Sequence, residues 1–100
     1  MTLQAHMKHV AGDDRGSVTL YALSTCVWCR KTKELLDELH VAYNYAYVDL
    51  LSGPDREEAV QKIKVWSPAV SFPTLVINGN RIIMGFKEDQ IREALGSGTR

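Results

Sequence analysis

The sequence predicts an α/β domain, a four-stranded mixed sheet covered by three helices in the order βαβαββα, and three observations predict it. Residues 17–23 (Ser-Val-Thr-Leu-Tyr-Ala-Leu) form a mostly apolar, strand-length run. Thr32, Leu35, Leu36 and Leu39 fall at i, i+3, i+4 and i+7, one face of an amphipathic helix. Asn78-Gly79, the preferred dipeptide of a two-residue hairpin turn, separates residues 74–77 from residues 81–84.

The elements follow in order. Residues 1–16 show no strong period and end in Gly-Asp-Asp-Arg-Gly, which reads as a flexible extension ahead of a domain spanning 17–96. The first strand occupies 17–23. The first helix runs from Cys26 to about His40, where an imidazole complements the negative end of the helix dipole. Residues 42–49, rich in tyrosine, make the second strand, and Ser52-Gly53-Pro54 opens a second helix over about 54–64. An irregular stretch with two prolines, Pro68 and Pro73, leads to the hairpin, and a last helix over about 87–95 turns Ile91, Ala94 and Leu95 inward and stops at Gly96. Crossover-length helices join parallel strands, and the hairpin adds an antiparallel edge.

Composition narrows the function. One hundred residues are one small domain, and 45% hydrophobic with 24% charged residues is the profile of a soluble globular chain. Twelve basic residues balance twelve acidic ones, so no net field draws a nucleic acid. No apolar run approaches the ~20 residues of a membrane span and no secretory signal opens the chain, so a cytoplasmic location without membrane contact is expected.

The chemistry sits at Cys26-Val27-Trp28-Cys29. A helix N-terminus offers unpaired N–H groups and a positive dipole end, both of which favour a thiolate. Cys29, one turn on, is placed to attack a mixed disulfide formed on Cys26. Charges around the pair oppose the dipole: Arg30, Lys31 and Lys33 come first, Asp37 and Glu38 last. The second helix does the reverse, with Asp55, Glu57 and Glu58 before Lys62 and Lys64. Arg30, Lys31 and Lys33 are therefore candidates for stabilising the Cys26 thiolate; the alternative is that Arg30–Glu34 and Lys33–Asp37 are ordinary i,i+4 pairs. Trp28 is a candidate to line a substrate groove. Asp49 is a candidate proton carrier for Cys29, against the plainer reading of a turn residue.

Ser24-Thr25-Cys26-Val27-Trp28-Cys29, Ser71-Phe72-Pro73-Thr74, Asn78-Gly79 and Gly85-Phe86 together resemble the glutaredoxin family within the thioredoxin-like fold, over about residues 17–96. The resemblance implies that Cys26 is the nucleophile, Cys29 the resolving thiol and Pro73 a cis-proline. The loop at Phe72, Pro73 and Thr74 would then present backbone groups to an extended peptide or to glutathione. Two departures stand out. Glutathione-using members typically carry Pro-Tyr between the cysteines and Gly-Gly-x-Asp-Asp at the last helix, whereas this chain has Val27-Trp28 and Met84-Gly85-Phe86-Lys87-Glu88-Asp89. The latter is similar to the glutaredoxin-like hydrogen donors of ribonucleotide reductase, which draw electrons from thioredoxin reductase. Lys87 and Asp89 are candidates for contacting glutathione or a partner.

The expected activity is dithiol–disulfide exchange by a monomer, acting on disulfide-containing proteins or glutathione-mixed disulfides. No bound cofactor is expected, and either glutathione or thioredoxin reductase is the electron donor. The rival is binding: zinc held by His6, His9, Cys26 and Cys29, or an iron–sulfur cluster shared between two chains through Cys26 and glutathione. Against zinc, Cys29 runs straight into a helical pattern rather than a turn.

Overall fold

The computed structural model describes residues 7–96. Its strands are β1 (Lys8–Val10), β2 (Val18–Ala22), β3 (Tyr43–Tyr47), β4 (Thr74–Ile77) and β5 (Arg81–Met84). Its α-helices are α1 (Val27–Glu38), α2 (Gly53–Trp66) and α3 (Glu88–Leu95), with a short 3-10 turn at Val48–Leu50. The sheet order is β1-β3-β2-β4-β5. β2 and β3 are parallel, joined by α1, while β2–β4, β4–β5 and β1–β3 are antiparallel.

The sheet therefore has five strands, not four, and the difference lies in the segment read as a flexible extension. Lys8, His9 and Val10 pair with Tyr45, Asn44 and Tyr43. Beyond them, the Asp13 N–H donates to the His40 carbonyl at 2.7 Å and the Asp13 carbonyl accepts from Ala42 N–H at 2.8 Å. The Gly-rich cluster that suggested mobility has a packing cause. A Cβ on Gly12 would lie 2.7 Å from the His40 carbonyl oxygen, so only glycine lets the two backbones approach.

The sheet separates two apolar layers. Alternation along β2 sends Val18, Leu20 and Ala22 to one face, where they meet Cys29, Leu35 and Leu36 of α1 and Ile91 and Leu95 of α3. Tyr21 points to the other face, with Ala59 and Ile63 of α2. Burial on both sides explains why the β2 run is nearly all apolar. The hairpin turns at Asn78 (φ 54) and Gly79 (φ 73), two successive left-handed residues as an Asn-Gly turn requires. α1 ends two residues short of expectation because His40 adopts φ 58 and donates its N–H back to the Asp37 carbonyl, the role of a left-handed helix stop. α2 runs two residues further than expected, to Trp66.

Candidate active site

The site forms where β2 ends and residues 23–25 turn into α1. Cys26 is the N-cap of α1, extended at φ −91 and ψ 120, and its sulfur accepts the Cys29 N–H at 3.1 Å. Serine or aspartate oxygen usually fills this role; here a nucleophilic sulfur satisfies one of the orphan N–H groups of the first turn. That turn carries no acidic residue. Cys26 is half-buried, whereas Cys29 is only 2% exposed and belongs to the core between α1 and the sheet. Both are free thiols.

Burial pushes the Cys29 thiol up to about 12, and its hydrogen bond with Cys26 adds to this; the Leu23 N–H, 3.5 Å from Sγ, works the other way. Cys29 is thus a protonated thiol at neutral pH, enclosed behind an accessible partner.

A groove opens beside the pair. Trp28, 57% exposed, stacks on Phe86 with ring centroids 5.9 Å apart and planes inclined by 22°. Trp28, Phe72, Pro73, Gly85 and Phe86 line an apolar groove of about 230 Å³. The Phe72–Pro73 bond is cis, as the resemblance implied. Cys26, Phe72 and Phe86 all pack on the core layer that holds Cys29, so the thiols and the groove share one support. Exposed Val27 extends the apolar surface.

The other residues singled out from sequence are distributed differently. Thr74 is fully buried, with its hydroxyl donating to the Ser71 carbonyl at 2.6 Å; it braces the cis-proline loop and does not line the groove. Lys87 and Asp89 line a separate open depression with Glu88 and Gln90. Arg30 and Lys31 are exposed on α1. Lys33 is committed elsewhere: its ammonium lies 3.5 Å from Asp37 and 4.9 Å from the centre of the Tyr45 ring. This is the i,i+4 pairing that competed with a role at the sulfur.

Two contacts within the site escaped sequence reasoning. Phe86 was part of the motif, but its stacking on Trp28 was not foreseen. Ser24 and Asp49, 25 residues apart, are joined by two hydrogen bonds, from the Ser24 N–H at 2.8 Å and from its hydroxyl at 2.5 Å. Of the zinc alternative, His9 is hydrogen-bonded through Nδ1 to Asn44 at 2.8 Å, and His6 lies outside the described residues. Among the described residues no group of three or more His, Cys, Asp or Glu is arranged to hold a metal.

An accessible thiol capping a helix, an enclosed thiol one turn behind it and a cis-proline loop on the same groove, all on this sheet topology, define a dithiol protein of the thioredoxin-like fold. The glutaredoxin family model matches residues 18–82, and the chain belongs to the glutaredoxin family. It is 34% identical over 74 residues to a glutaredoxin-like 8.6 kDa protein of a rubredoxin operon in Clostridium pasteurianum, covering 74% of this chain and 91% of that one. Among solved structures it is similar to the glutaredoxin of Methanosarcina mazei Go1, with 55% identity, TM-score 0.85, and 91% and 88% of the two chains covered. Methanosarcina acetivorans methanoredoxin is also similar, at 52% identity and TM-score 0.82 over 85% of this chain and 90% of that one. No helix among the described residues is long and apolar enough to cross a membrane.

Proposed function

We infer that the protein is a dithiol–disulfide oxidoreductase that reduces protein disulfides or glutathione-mixed disulfides. The observation that carries this reading is the asymmetry of the pair: a half-exposed Cys26 at the helix start and a 2% exposed Cys29 behind it. The Cys26 sulfur attacks a substrate disulfide, the S–S bond breaks, and the first substrate sulfur departs as a thiolate that takes up a proton. Cys29 then gives up its proton and attacks the Cys26 sulfur; a Cys26–Cys29 disulfide forms and the second substrate thiolate leaves. The substrate has gained two electrons and the pair has lost them.

The groove of Trp28, Phe72, Pro73, Gly85 and Phe86 is where we place the substrate chain, since its volume suits one large apolar side chain flanking the target sulfur. Arg30 and Lys31 add positive potential from the first turns of α1, and Lys87 and Asp89 lie where a partner would meet the start of α3. Re-reduction falls to glutathione or to thioredoxin reductase.

The test is a turnover assay with glutathione plus its reductase against thioredoxin reductase, on the unsubstituted protein, Cys26→Ser and Cys29→Ser. Cys26→Ser must lose activity under both donors; activity that survives it overturns the reading. Activity of Cys29→Ser with glutathione alone assigns a monothiol route, and a need for both cysteines with thioredoxin reductase assigns that donor.

A further inference from the structure

Asp49 makes contacts that the exchange steps leave unused. It sits in the 3-10 turn after β3, and both of its carboxylate oxygens go to one residue. Oδ1 accepts the Ser24 N–H at 2.8 Å and Oδ2 the Ser24 hydroxyl at 2.5 Å. Arg56 of α2 donates to the main-chain carbonyl of Asp49 at 3.1 Å, which ties the carboxylate's own backbone down. Next to Ser24, the Leu23 backbone touches both cysteines: its carbonyl accepts the Cys26 N–H at 3.2 Å and its N–H donates to the Cys29 sulfur at 3.5 Å. A connected path therefore runs from α2 through Asp49, Ser24 and Leu23 to the Cys26 backbone and the Cys29 thiol.

We propose that Asp49 is a positioning residue for the resolving thiol: by gripping Ser24 it fixes the turn that touches both cysteines, and it holds near Cys29 a permanent negative charge that slows release without governing capture. This rests on the exchange reading above and deepens it.

The alternative role, proton acceptor for Cys29, fits the site less well. The Ser24 hydroxyl and then the Ser24 N–H hold the Asp49 carboxyl below its ordinary value, so it stays ionised near neutral pH and is a weak base. Its charge is felt at Cys29 as the smallest of the influences that raise that thiol, after burial and Cys26. Arg56 is the charged group that acts on Asp49 itself, its guanidinium lowering the carboxyl further, and Tyr43, Tyr45 and Tyr47 of β3 are titratable side chains in or against the core layer that holds Cys29. A negative charge disfavours the second thiolate, so the mixed disulfide on Cys26 persists longer than it would beside a neutral residue.

Rapid mixing with dithiobis(nitrobenzoate), whose released thiolate is coloured, separates the two steps. Attack by Cys26 liberates one coloured thiolate, and attack by Cys29 on the resulting mixed disulfide liberates the other. Asp49→Asn keeps acceptor and donor atoms toward Ser24 and removes the charge. We expect its second phase to be roughly two- to threefold faster near neutral pH, its pH profile displaced downward by ~0.3 to 0.5 unit, and its first phase unchanged. Asp49→Glu, which retains the charge, should keep the original second-phase profile. An Asp49→Asn protein whose second-phase pH profile matches the original, or whose two phases change together as loop damage would make them, overturns this inference and leaves the exchange reading standing. An unsubstituted protein with no Cys26-dependent first phase would overturn both.

Discussion

Raising the pH should destabilise this protein from a defined starting point, and Cys29 sets where the loss begins. In an unfolded chain the thiol ionises near its ordinary value of 9.0, but in the fold only near about 12. Between those values the unfolded chain has released a proton that the folded chain still binds, so stability falls as pH rises; below pH ~9 both states are protonated and the contribution is intact. The integrated loss reaches about 0.4 kcal/mol at pH ~9 and about 1.4 kcal/mol at pH ~10, then continues at about 1.4 kcal/mol per unit. Tyr43 and Tyr21 act in the same direction from their ordinary value of 10.0. Both are raised chiefly by burial, Tyr43 further by its bond to Asp37 and Tyr21 by the charge of Glu58. Against a total of roughly 5–15 kcal/mol for a domain, the loss from Cys29 alone, about 4 kcal/mol by pH ~12, is a large fraction, and the two tyrosines add to it in the same direction. The assay is urea denaturation across this range with excess dithiothreitol, on the unsubstituted protein and Cys29→Ala. The variant starts less stable, having lost a packed sulfur, but should hold its stability up to pH ~10, so the gap between the two proteins closes by about 1.4 kcal/mol. Parallel curves would refute the assignment of Cys29 as an enclosed, protonated acid.

Tyr43→Phe removes the hydroxyl that donates to Asp37 at 2.7 Å and should cost about 1–2 kcal/mol by urea denaturation at neutral pH; a cost below about 0.5 kcal/mol contradicts the bond's importance. Phe86→Ala dismantles the stack on Trp28, worth roughly 0.5–1.5 kcal/mol, and should raise KM for a protein disulfide about two- to tenfold with kcat retained; an unchanged KM removes the groove from substrate binding. Lys33→Gln, whose ammonium serves Asp37 and Tyr45, should leave the iodoacetamide reactivity of Cys26 within about twofold, and a larger loss would restore Lys33 to the sulfur.

Sequence carried the elements whose cause is local. β2, α1 and the hairpin are each written in neighbouring residues: an apolar run, a helical spacing, and Asn78-Gly79. The cysteine pair was legible for the same reason, since a motif and the start of a helical pattern coincide at Cys26. β1 was not, because three residues with exposed Lys8 and His9 carry no periodicity of their own and become a strand only when β3 supplies partners. The clasp between Ser24 and Asp49 spans 25 residues, and nothing in either neighbourhood announces the other. Lys33 shows the opposite error: its position along α1 suggested the sulfur, whereas the side chain reaches across to β3, a choice only the packed helix reveals.

The pairing of Lys8–Val10 with β3 has a consequence for how copies of this molecule behave in company. Tyr43–Tyr47 is an aromatic, strand-forming ribbon, and stripped of its neighbour it would present a row of unsatisfied amides and carbonyls to any similar ribbon. Three residues bearing a cation and an imidazole cover that rim, and their own outer side is too short and too polar to invite a successor. A chain trimmed past Gly12 would keep its thiols yet pair border to border into a dimer, which size-exclusion chromatography would register.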